Sequence, residues 1–147
     1  MNVLLWLLAA ALNAYLLLGL APRTDAGRFV KWAVVALVMA VVGAVLVALI
    51  LHAVGASPSR QAVADILAAF FTVAVILFVN IVNVACRGMV DAIVSFHQNN
   101  NAANLDRFPI ATLIHRQDQL KLLLGVVWSL GSALMLYGVW FDMAVVK

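Results

Sequence analysis

Residues 30–55 read VKWAVVALVMAVVGAVLVALILHAVG, an apolar run whose only Lys or Arg is Lys31 and which holds no acidic residue. At 1.5 Å per residue, roughly 20 helical residues cross a hydrocarbon core about 30 Å thick, so this run is long enough to span a membrane. Three more runs of the same kind, residues 3–20, 62–85 and 122–141, flank it and take up most of the 147-residue chain. None alternates apolar and polar residues in the short pieces a membrane β-barrel requires, and in lipid a lone segment satisfies its backbone only as a helix. The fold expected is therefore all-α: a polytopic membrane protein with four transmembrane helices in an antiparallel bundle, forming one integral membrane domain over residues 1–147.

Composition leaves no room for a separate soluble domain. Hydrophobic residues make up 67% of the chain and charged residues 10%. The longest polar stretch, about residues 87–121, is too short to bury a core of its own. The nine Lys and Arg are scattered around apolar segments rather than gathered on one face, so the net charge of +3 is no nucleic-acid footprint. With a single cysteine, Cys86, the chain offers neither an intrachain disulfide nor a thiol metal motif. The first run has no positive charge ahead of it and exceeds the usual apolar core of a signal peptide, so it reads as a retained first helix.

The basic residues assign the orientation. Arg23, Arg28 and Lys31 fall in the first loop and Arg87, Arg107, Arg116 and Lys121 in the third, against only Arg60 and Lys147 in the second loop and at the C-terminus. The positive-inside rule then expects loops one and three in the cytoplasm and both termini outside it. The rings of Trp6, Tyr137, Trp140 and Phe141 at one level, and of Phe29 and Trp32 at the other, fit interfacial belts. Abundant Ala, Val and Leu with little Lys point to a bacterial inner membrane.

The third loop carries helical signals of its own. Met89, Val90, Ile93, Val94 and Phe96 continue the apolar periodicity past Arg87 until Gln98, Asn99, Asn100, Asn101 and Asn104 interrupt it. A restart is expected near Pro109 with Asp106 as a cap, and Ile110, Leu113, Ile114 and Leu120 lead into the last span. Helices three and four thus extend into a cytoplasmic helical hairpin over residues 87–121, either projecting from the membrane or lying in its interface.

Two sets of residues stand out within the spans. Ala36, Ala40, Ala44 and Ala48, with Gly43 beside them, form a small-residue row that allows close helix approach, with small residues of helices one and four as candidate partners. Asn80, Asn83, Arg87 and Asp91 share one face of helix three. Such groups in a spanning helix face a bundle interior or a wet cavity. They read either as interhelical hydrogen-bonding groups, with Asn13, Ser129 and Ser132 as partners and an Arg87–Asp91 pair, or as the wall of an inward-facing vestibule.

No phosphate-binding glycine loop, nucleophile elbow, zinc-protease helix or pair of in-membrane carboxylates occurs. His97 and His115 could approach each other in the hairpin, but without a ligand spacing that defines a site. No catalytic residue, cofactor or metal is assigned, and the chain is expected not to be an enzyme. The expected role is a small integral membrane subunit or scaffold, partnered by the lipid bilayer and by other membrane subunits or copies of itself, with no nucleic acid. A small homo-oligomeric channel or transporter is the alternative.

Overall fold

The computed structural model describes residues 2–23, 25–55, 57, 59–100 and 105–142, and among these there is helix and turn but no strand. Five helices are formed: α1 Asn2–Tyr15, α2 Ala26–Ala53, α3 Arg60–Asn100, α4 Ile110–His115 and α5 Gln117–Tyr137. A wider π-helical stretch, Leu16–Leu20, and a 3-10 turn, Ala21–Arg23, continue α1; another π stretch, Gly138–Asp142, continues α5. Four helical segments, Val3–Leu20, Ala26–Ala53, Arg60–Asn100 and Gln117–Phe141, are long and apolar enough to cross a membrane.

Local chemistry accounts for where these segments begin and end. The Asp25 side chain accepts a hydrogen bond from the Arg28 amide at 2.8 Å, an N-cap that draws residues 26–29 into α2 ahead of the apolar run. At its other end Gly55 takes φ +64, the left-handed conformation that suits glycine, and its amide donates to the His52 carbonyl at 3.1 Å. The Ser59 hydroxyl accepts from the Ala62 amide at 3.2 Å and caps α3. Nothing then interrupts α3 for 41 residues, about 61 Å of helix, twice what a bilayer core requires.

The second half of the third loop differs from the continuous extension expected of it. Pro109 stands at the N-cap position of α4, whose six residues run to His115 and are followed by the C-cap Arg116, with φ −115 and ψ 17. α5 then starts at Gln117. Asn101 and Asn104, expected to stop helix three, lie outside the described residues; α3 continues through Asn100.

α1, α3 and α5 share a core, with Ala9, Ile76 and Leu136 at its centre and Trp6, Leu16 and Val75 packed on them. The Trp6 indole N–H donates to the Ala133 carbonyl at 3.0 Å, and its ring meets Tyr137 and Phe141 edge-on at 6.0 and 6.3 Å. These rings join α1 to α5 besides suiting an interface. Lower down, a Cβ on Gly125 would stand 2.8 Å from Leu18 Cδ2, so the tail of α1 approaches α5 closely where α5 has no side chain.

α2 lies outside this unit. It packs principally on α3, not on the small residues of α1 or α5. Its less exposed positions are Phe29, Val30, Ala33, Leu37, Ala40, Gly43, Ala44, Val47 and Leu51, and from Val30 on all but Gly43 are spaced alternately three and four apart. That is a 3.5-residue seam. A strict four-residue row drifts by 40° at each step, about 120° from Ala36 to Ala48, so it crosses the seam instead of following it. Accordingly Ala40, Gly43 and Ala44 are half-buried, with Gly43 3.5 Å (as a virtual Cβ) from Phe70 of α3, while Ala36 and Ala48 are exposed.

This seam makes a graded prediction for Leu substitutions. Ala40→Leu and Ala44→Leu should each destabilise the α2–α3 contact by about 1–3 kcal/mol through overpacking. Ala36→Leu, Ala48→Leu and Val41→Leu should be near neutral in a reversible unfolding assay in detergent. A loss at Ala36 or Ala48 as large as at Ala40 would contradict the seam.

Candidate functional site: a buried polar relay and a basic recess

The polar residues of the spans meet where α1, α3 and α5 meet. Asn13, Asn80, Asn83 and Ser132 are each no more than 1% exposed. The Asn80 amide group donates to Asn13 Oδ1 at 2.7 Å and to the Ile76 carbonyl at 2.8 Å, using both its hydrogens. Asn13 Nδ2 donates in turn to Ser132 Oγ at 2.5 Å, and Ser132 donates to the Ser129 carbonyl at 2.9 Å. One directed chain of hydrogen bonds therefore crosses three helices, and Asn13, accepting from α3 and donating to α5, is its centre.

Ser129 is not a further link between helices. Its hydroxyl donates back to Gly125 of its own helix at 2.8 Å. Asn83, one turn beyond Asn80, is fully buried, and among the described residues neither its amide nitrogen nor its oxygen has a hydrogen-bond partner, nor does Asn80 Oδ1. An unsatisfied buried polar group costs about 1–3 kcal/mol, so the two asparagines contribute in opposite directions although both lie on the same face.

Further along that face the structure departs from the expected Arg87–Asp91 pair. Asp91 forms its salt bridge with Lys121 at the start of α5. Along a helix an acid four residues after a base is the less favourable order, and Lys121 reaches across from a facing helix. Its side chain is 14% exposed against 58% for that of Asp91. Arg87 is left half-buried, with no hydrogen bond or ion pair among the described residues. Arg87, Asp91 and Lys121 wall a recess of about 170 Å³ together with Ala21, Pro22 and Ala26.

At the far end of α3, Ile93 and His97 face Phe108, Ile110, Leu113 and Leu120 across an apolar groove of about 600 Å³, and Phe108 is 86% exposed. His97 lines this groove and His115 is exposed; among the described residues no three His, Cys, Asp or Glu come together. Cys86 is a free, half-buried thiol.

No family model, curated protein or solved structure matches this chain. The site is therefore read on its own chemistry: a relay whose hydrogen bonds are spent within the protein, and a recess whose Arg87 guanidinium has no partner among the described residues. In the amino-acid sequence Lys121 reads only as a topological charge. Its place immediately ahead of the apolar run 122–141 is the signal that it could reach the cation–anion stripe on α3.

Opposite effects are expected at the two asparagines. Asn80→Leu and Asn13→Leu should each lower stability, Asn13 the more, by about 1–2 kcal/mol, since interhelical bonds in membranes average about 0.6 kcal/mol and Asn13 makes two. Asn83→Leu should be neutral or stabilising. Chemical unfolding in detergent decides it: a loss at Asn83 equal to that at Asn13 would contradict these roles.

Proposed function

We propose that this chain is a non-enzymatic integral membrane subunit or scaffold. In this reading four helices cross a bacterial inner membrane in an antiparallel, up-and-down arrangement, with both termini outside the cytoplasm. The alternation of contacts supports the arrangement: Trp32 and Ala36 lie with Leu77 and Asn80, whereas Ala48 and Leu51 lie with Val63. The surplus length of α3, with α4 and the start of α5, then forms the cytoplasmic hairpin.

The observation that carries the scaffold role is the state of α2. Its seam toward α3 is narrow, and Val38, Met39, Val41, Val42, Val45, Leu46 and Leu49 all remain exposed around the rest of its circumference. In lipid such a surface is stable as it is, and it is also free to pack against another membrane helix. The alternative, a homo-oligomeric channel or transporter lined by the α3 stripe, is less well supported, because Asn80 and Asn83 are each no more than 1% exposed and Asn80 spends its amide hydrogens on Asn13 and Ile76.

Two measurements test the proposal. In a Cys86→Ser background, a cysteine at Ser59 should react with an impermeant reagent added to intact cells and one at Asn99 should not; labelling at Asn99 would reverse the orientation. In mild detergent the chain should run as a discrete hetero-complex, with a photo-crosslinker at Val45 on α2 reaching a different polypeptide. A closed homo-oligomer that conducts ions would favour the channel, and a monomer without crosslinks would overturn both.

A further inference from the structure

Two cavities flank the corner where the chain passes from the tail of α1 into α2. The smaller is the basic recess at Arg87 and Lys121. The larger, about 340 Å³, lies among Leu16, Phe29, Trp32, Ala36 and Leu77, and Arg28 also lines it. Both are walled by the end of α1, the first turns of α2 and the middle of α3, and the smaller also by Lys121 of α5. Asn80 borders the larger and Arg87 the smaller; seven residues of helix separate them, about 10 Å along α3.

The two cavities have complementary chemistry. The larger is almost wholly apolar and fits hydrocarbon. The smaller contains two cations against one carboxylate, and that carboxylate is already engaged by Lys121, which leaves the Arg87 guanidinium with no partner among the described residues. A guanidinium presents a planar fork of donors that matches the oxygens of a phosphodiester. Arg28, exposed beside the apolar slot, adds positive charge on the same flank.

The geometry points to a binding site for one anionic phospholipid, its phosphodiester on Arg87 and Lys121 and an acyl chain in the slot between Leu16, Trp32 and Leu77. A soluble phosphate would use the recess alone; the apolar slot, about 10 Å away along α3, selects a lipid. The site rests on the membrane placement proposed above, at the level of the inner leaflet, where anionic headgroups attract basic residues. The bound lipid would cover the crevice between α2 and the three-helix unit, tying the peripheral helix to the rest.

Native mass spectrometry of the full chain, released from nanodiscs of equal phosphatidylglycerol and phosphatidylcholine, tests the site. One phosphatidylglycerol per chain should be retained in preference to phosphatidylcholine. Arg87→Gln should reduce its retention about tenfold, as expected for loss of a charge-assisted contact. Ala36→Phe, which fills the slot from an exposed position and leaves the cations in place, should also reduce it, and this variant carries the test alone if Arg87→Gln does not fold. Arg60→Gln, at the opposite end of α3, should change nothing. Retention unaffected by both Arg87→Gln and Ala36→Phe, equal retention of the two lipids, or displacement by millimolar inorganic phosphate would overturn the lipid site. Extraction of the chain from membranes by alkaline carbonate would instead overturn the membrane placement on which it rests.

Discussion

Asn13 accepts a hydrogen bond from α3 and donates one to α5, and the packing of the three-helix unit is organised around that residue. In an apolar surrounding a carboxamide has no solvent to fall back on, so it is stable only where the protein supplies its partners. The requirement fixes register as well as proximity. Sliding α1 by one turn would move the amide about 5.4 Å and leave Asn80 and Ser132 unpaired. The apolar contacts above and below, Ala9 with Ile76 and Leu136, then fall into place with Trp6 on Ala133 and the tail of α1 against Gly125.

α2 has no comparable constraint. Its seam toward α3 consists of small and aliphatic side chains, and no hydrogen bond between α2 and another helix accompanies it among the described residues. Its association rests on van der Waals packing, which sets no polar register between the two helices. A unit with three helices locked by polar contacts and a fourth held by packing alone suits a subunit that exchanges or adds helix neighbours, and it explains why a lipid at the corner between α1 and α2 would matter.

Much of this was legible in the amino-acid sequence, because the long apolar runs leave few alternatives to helix. Helix ends were less so: the runs were read from hydropathy, whereas Asp25 and Ser59 extend α2 and α3 through side-chain caps that hydropathy ignores. The alanine row was visible, but its strict four-residue spacing hid the 3.5-residue period that the facing helix selects, so Ala33, Val47 and Leu51 were not singled out. Asn13, Asn80 and Ser132 were recognisable as polar groups in apolar runs. That Asn83 shares their burial and not their bonds depends on where the neighbouring helices place their donors and acceptors, which spacing within one helix does not encode. Arg87 and Asp91 were matched by sequence proximity; the facing Lys121, 30 residues away, is the tertiary partner that displaces Arg87.

The relay's coupling energy is the most direct test of this account. A double-mutant cycle with Asn13→Leu and Ser132→Ala, read from reversible unfolding in detergent or bicelles, isolates the bond between α1 and α5 from the cavities each change leaves. The account predicts a favourable coupling between about 0.6 and 1.7 kcal/mol, from the mean to the maximum of interhelical hydrogen bonds in membranes. Additive losses, with no coupling between the two positions, would mean that α1 and α5 are held by packing alone and would contradict it.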